Sequence, residues 1–292
     1  MKGIPPGDRQ RSRTLKEMYT TMSGILRRKR RERIRRQPFP AQWLEILDRN
    51  FPRYRRMPSG DQAELRELMQ IFLAEKHFEG AGGLDVTDEI RVTVAAQACL
   101  LLLHRETDVY PGLHSIVVYP SEYAVPARGR DESGIIEDNP QVRLGETAAR
   151  GAVVIAWDAA ARGGVDVLGC RNVVFHEFAH ELDAEEGSFN GAPVLPHRSM
   201  YSAWARVLGN EFRDLQDRVA RRLPTDLDPY GASNPAEFFA VATECFFQQP
   251  VGLYRRHPEL YAQLASFYRQ DPAKTTLGRR SSASRDAKGP TL

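Results

Sequence analysis

The chain has 292 residues, 27% of them charged and 41% apolar, long enough to bury a sizeable core and too apolar to be disordered throughout. Its 22 Gly and 19 Pro follow no fixed period, which excludes collagen and low-complexity scaffolds. The net charge of +3 hides an asymmetry, because residues 1–37 hold 13 Lys or Arg against three acids, so the remainder of the chain sums to −7.

That basicity peaks at Arg27–Arg36, RRKRRERIRR. Such a block repels itself and offers no core face, so residues 1–37 are expected as a basic, disordered or marginally helical extension. Its charge suits an anionic partner: a membrane surface, nucleic acid or an acidic protein patch. No aromatic residue interleaves the run, which argues against base stacking. From 38 to 272 the pattern predicts one continuous domain. Apolar positions recur at helical spacing over Pro40–Asn50, Asp61–Glu79 and Val86–Arg105. Leu113–Tyr119 and Ala152–Trp157 are short and β-branched, as strands are. Residues 120–150 between them are polar, with Gly and Pro throughout, and predict a long loop. Helical spacing returns at Cys170–Glu186, Arg198–Arg222, Asn234–Gln248 and Pro258–Gln270. Few strands among many helices predict an α+β, mostly helical domain with a small sheet.

Residues 273–292 are rich in Ser, Gly and charge and are expected as a disordered tail. No apolar run approaches the roughly 18 residues that a membrane-spanning helix needs. The basic N-terminus also lacks the apolar stretch of a secretory signal. Cys99, Cys170 and Cys245 are too few and too scattered for a disulfide framework or a Cys-rich metal site. A soluble, cytoplasmic protein is expected.

One motif carries chemistry: His176-Glu177-Phe178-Ala179-His180, an H-E-x-x-H. Residues four apart share a helix face, so both imidazoles can reach one ion with Glu177 one position round. On the same helical wheel Val174, Phe175, Phe178 and Leu182 form an opposite, apolar arc, and Asp183 falls on the ligand side. Two imidazoles and an oxygen ligand favour zinc, with a fourth position left to water. The third ligand has three candidates. His197 lies in a Pro-flanked loop, and Glu237 and Glu244 lie seven apart on one face of an otherwise apolar helix. Glu237 also fits a purely structural role, because Asn234, Pro235 and Glu237 match the N-cap, first and third positions of a capping box. Asp183 is a candidate to orient a ligand imidazole. Tyr230, flanked by Pro229 and Gly231, reads on its own as a packed corner residue. The strand at Ala152–Trp157 precedes the metal helix and could pair with an extended peptide.

The segments HEFAHELD, YGASNPAEFFAVATECFF and FYRQDP, in that order, resemble the Mlc titration factor A family of bacterial zinc peptidases. The sites of that family are related to those of the gluzincins and of the anthrax lethal factor catalytic domain. The resemblance extends over residues 38–272 and implies a zincin-like fold and a zinc-dependent peptidase. It implies that His176, His180 and Glu237 bind one catalytic zinc ion, with Glu177 as general base and Tyr230 as the tyrosine that stabilises the transition state. A peptide or protein is then the substrate, and internal cleavage and aminopeptidase action both remain open. A rival reading also follows from it. Enteric members are associated with the glucose repressor Mlc, so the chain could instead be a regulatory protein that sequesters a transcriptional repressor. Two departures from the family pattern are the basic run at Arg27–Arg36 and His197, which stands where an apolar residue is expected.

Overall fold

The computed structural model describes residues 24–106, 108–121, 151–166 and 169–277. Residues 1–23 of the expected extension, 122–150 of the expected loop and 278–292 of the expected tail lie outside them. Helix α1, residues 24–35, is built from the basic run. Its charges are met by acids distant in sequence. Arg31 binds both oxygens of Glu75 at 2.7 and 2.6 Å and also bonds Asp108, while Ile34 packs against the core. Charge counting within the run omitted these partners, which stand 44 and 77 residues downstream. Hydrogen bonds to charged groups are worth about 1.5–3 kcal/mol, so Arg31→Ala should destabilise the fold by roughly that amount. A shift of the urea midpoint measures this; an unchanged midpoint would mean that α1 adds nothing to stability.

Helices α2 (Ala41–Asn50), α3 (Ser59–Glu75) and α4 (Asp88–Leu100) follow. Thr87 caps α4 by accepting from the Ile90 amide, and every residue of that helix from Val92 to Leu100 is buried. A helix apolar all round must be wrapped on all sides. Here α2, α3 and the later helices Trp157–Val165 and Val173–Asp183 contribute to the wrapping.

The sheet among the described residues has three parallel strands in the order β1 (His77–Gly80), β2 (Ser115–Tyr119), β3 (Ala152–Ala156). Ser115 stands opposite both His77 and Ala152 in register. Ile116, Val118, Val153 and Ile155 are buried, the period of two that alternation predicts. Strand β1 is the departure, since helical spacing ran through it to Glu79. Helix α3 stops at Glu75, and the buried Lys76 donates to the carbonyls of Tyr110 and Leu113, turning the chain into the sheet.

Helix α5 (Trp157–Val165) is a second departure, hidden in the sequence by Gly163 and Gly164. These glycines answer to packing. A Cβ on Gly163 would stand 2.9 Å from the Asn172 side chain, and one on Gly164 would stand 2.4 Å from the Asn50 carbonyl. The remaining helices are α6 (Val173–Asp183), α7 (Met200–Ala220), α8 (Pro235–Gln248), α9 (Pro250–Arg256) and α10 (Pro258–Tyr268). All residues of α8 from Ala236 to Gln248 are buried. Its phenylalanines meet Trp204 of α7 and Phe267 and Tyr268 of α10 edge-on. Cys170 and Cys245 are joined as a disulfide, so the scattered cysteines do yield one bridge, and it ties the segment before α6 to α8. Cys99 is buried and free.

Candidate metal centre

The site forms where α6 and α8 pack together. The N-terminus of α6 is fixed by Asn172, whose side chain accepts from the Phe175 amide at 3.0 Å and donates to Gln97 at 2.8 Å and to the Gly163 carbonyl at 2.9 Å. The apolar arc of α6 is the buried one. Phe175 meets Phe247 at 5.3 Å between centroids, and Phe178 meets Tyr110 at 4.8 Å. With that arc seated, the opposite arc turns His176 and His180 toward α8, their ring centroids 4.8 Å apart.

Helix α8 starts at Asn234, which caps it by accepting from the Glu237 amide at 3.0 Å. The capping role of Asn234 is therefore real, but the Glu237 carboxylate is directed elsewhere. It lies 2.9 Å from Nε2 of His176 and 3.4 Å from Nε2 of His180, and it is 1% exposed. Glu244, two turns further along, reaches the other nitrogen of the same imidazole, with Oε1 2.7 Å from Nδ1 of His176. Its second oxygen accepts the Asn172 amide at 2.5 Å. The two acids thus bracket one ring, which accommodates their roughly 10 Å separation along the helix axis.

Electrostatics within the cluster are steep. Burial alone would lower His176, but its hydrogen bonds to Glu237 and Glu244 carry it up to about 10. Burial also works against the Glu237 carboxylate, yet the bonds from His176 and His180 hold it down at about 2. Burial holds His180 below its ordinary value, against the hydrogen bond to Glu237 and with the push of His176. The Nε2 atoms of His176 and His180 stand 3.2 Å apart, and both face the Glu237 carboxylate. Two imidazole nitrogens and a carboxylate, all within 4.8 Å of one another, converge on one place. A divalent cation would satisfy the same three atoms, and the two-nitrogen, one-oxygen set fits zinc. Glu177 lies beside them, half-buried. Burial pushes its carboxyl up to about 7, against the pull of His176 and with the push of Glu237 and Glu244.

Tyr230 sits on the 3-10 turn Pro229–Ala232, with its amide held by Asp228 at 2.9 Å. Asp228 also accepts from Arg171 at 2.7 Å, which ties this turn to the segment leading into α6. The Tyr230 hydroxyl donates to Glu237 at 3.3 Å, its ring lies 6.1 Å from His176, and the residue is 41% exposed. It is not a packed corner. His197 is exposed and lies outside the converging group. Asp183 makes no hydrogen bond to either imidazole: its Oδ2 accepts the Gly191 amide at 2.8 Å, and its Oδ1 and the His180 Nδ1 have no partner among the described residues. Gly191 has φ +72°, and a Cβ there would lie 2.3 Å from the Pro235 carbonyl, so Asp183 fastens a close-packed loop against the start of α8. Sequence reasoning missed Asn172, Gln97 and Gln248. Gln248 donates to the Gly163 carbonyl at 2.8 Å, and all three are buried polar groups that brace the base of α6. The available signal was a polar side chain in an apolar helical run, which needs a partner when buried.

Residues 26–269 match the family model described as glucose-regulated metallo-peptidase M90. The matched span takes in the basic run at Arg27–Arg36, which is therefore part of the family's span and no extension outside it. The chain is 37% identical over 244 residues to the uncharacterized protein slr2042 of Synechocystis sp., covering 83% of this chain and 89% of that protein. It is 32% identical over 235 residues to Mlc titration factor A of Yersinia pestis and, equally, of Yersinia pseudotuberculosis, covering 80% of this chain and 85% of theirs. No described helix is long and apolar enough to cross a membrane.

Proposed function

The chain belongs to the glucose-regulated metallo-peptidase M90 family, and on that premise we propose that it is a zinc-dependent peptidase of the zincin type, with His176, His180 and Glu237 as ligands and Glu177 as general base. The observation that carries this reading is the convergence of Nε2 of His176, Nε2 of His180 and the Glu237 carboxylate within 4.8 Å, beside a carboxyl poised near pH 7. Bound there, zinc would supply Lewis acidity to the attacking water and to the scissile carbonyl. Glu177 takes a proton from that water and passes it to the leaving amine, the two transfers of a general base that then acts as a general acid. The Tyr230 hydroxyl, already beside Glu237 and half open to solvent, donates to the oxyanion that develops on the carbonyl. Glu244 holds the His176 ring from behind through Nδ1.

The relatives that bear the name Mlc titration factor A favour a second reading, in which the chain also engages a transcriptional regulator of the Mlc kind. A protein that only sequesters a repressor has no use for Glu177 between two ligands, so the peptidase reading stands first. Peptide hydrolysis tests it. The purified chain should cleave unstructured peptides, lose that activity when stripped with a strong chelator, and regain it with one equivalent of zinc. Activity that survives complete removal of metal would sink the proposal.

A further inference from the structure

Helix α1 carries a surface that the metal centre does not use. At about 100° per residue, Ile25, Lys29, Arg33 and Leu26, with Arg36 just past the helix end, share an arc of roughly 100° facing away from Arg31 and Ile34. Ile25 is 52% exposed and Leu26 is 63% exposed, although most large apolar side chains of the described residues are covered. Lys29, Arg33 and Arg36 are exposed and make no ion pair among the described residues. The neighbouring arginines are engaged. Arg27 pairs with Asp108 at 2.7 Å, Arg28 with Glu32 at 3.3 Å, Arg35 with Glu67 at 3.6 Å, and Arg31 is clamped as described above. The pairs of Arg27, Arg31 and Arg35, with the Arg30 bond to the Ala74 carbonyl at 3.2 Å, hold the helix to the body and leave Lys29, Arg33 and Arg36 on the outward arc beside Ile25 and Leu26.

We propose that this face of α1 is a docking surface for an anionic lipid bilayer. Cations paired with aliphatic side chains on one helical face match the headgroup boundary, where phosphates lie above hydrocarbon. Nucleic acid offers the same phosphates, but it would leave Ile25 and Leu26 in water and find no aromatic side chain within residues 24–37 on which to stack a base. Charge distribution orients the encounter. Residues 1–37 are strongly positive and the rest of the chain sums to −7, so an acidic surface attracts the helix and repels the body. The inference is independent of the metal site.

Co-sedimentation of the full chain with vesicles tests it. Binding should appear with phosphatidylglycerol mixed into phosphatidylcholine, be absent with phosphatidylcholine alone, and weaken as salt is raised. Each outward cation removed should lower the partition coefficient about fivefold. The triple variant Lys29→Gln, Arg33→Gln, Arg36→Gln should therefore lose on the order of a hundredfold. Ile25→Ser with Leu26→Ser should weaken vesicle binding while thermal unfolding stays at the parent value. Equal binding to neutral vesicles, no binding to acidic ones, or a triple variant that binds like the parent would overturn the proposal. So would preferential binding to duplex DNA that is indifferent to the Ile25 and Leu26 changes.

Discussion

Replacing Glu177 with glutamine should leave metal content at the parent level and cut peptide hydrolysis by about 100- to 10,000-fold, the usual worth of a general acid–base. The expectation rests on separating two neighbours on α6. His176 and His180 hold their places through the buried arc of Val174, Phe178 and Leu182 and through Glu237 and Glu244. Glu177 contributes to none of those contacts, and its amide isostere preserves size and leaves the buried arc alone. The carboxyl is lost as a proton acceptor, while the ligand atoms are untouched. Kinetics with an internally quenched peptide, alongside metal analysis of the same preparation, decide the matter. Hydrolysis at the parent rate would mean that the proton is taken elsewhere.

How much of this was legible beforehand depends on whether the deciding contact is local. The H-E-x-x-H spacing and the apolar arc of Val174, Phe175, Phe178 and Leu182 are properties of one helix, and the buried face of α6 is the one that the wheel predicts. Asn234 caps α8 as the sequence suggests, again within one turn. Selection among His197, Glu237 and Glu244 was different, because helical geometry puts both acids on one face. Only the packing of α8 on α6 shows that they take opposite nitrogens of a single ring. Two departures share the same origin. No helix was expected at Trp157–Val165, and Gly163 and Gly164 find their reason only in the Asn172 side chain and the Asn50 carbonyl beside them. The run at Arg27–Arg36 looks self-repelling until Glu75 and Asp108 arrive from elsewhere in the chain. Strand β1 is short and without β-branched residues, and its pairing with β2 makes it a strand. Periodicity reads what a segment presents, and it is blind to what a distant segment supplies.

Glu237→Ala should release the metal and abolish activity, and it has the largest expected effect on occupancy of any single change outside the two imidazoles. The Glu237 carboxylate is the one oxygen donor in the converging group, and it is almost wholly buried. Alanine leaves the two imidazole nitrogens without the carboxylate that faces them both. Glu244 cannot substitute, because it is already committed to Nδ1 of His176 and to the Asn172 amide, on the far side of the ring. Three comparisons separate a lost ligand from a disturbed fold. Glu244→Gln keeps the shape and one acceptor but weakens the hold on His176, so metal affinity should fall about 10- to 100-fold without vanishing. Tyr230→Phe removes only the hydroxyl that meets Glu237, and should retain metal while losing mainly turnover. His197→Ala lies on an exposed loop and should change neither. Zinc titration of the four purified variants against a chromogenic chelator reads the order directly. Full occupancy in Glu237→Ala, or zinc lost in His197→Ala, would place the third ligand elsewhere. Equal zinc loss in Glu237→Ala and Glu244→Gln would mean that the two acids act as one bracket on His176 and that no single one of them is the ligand.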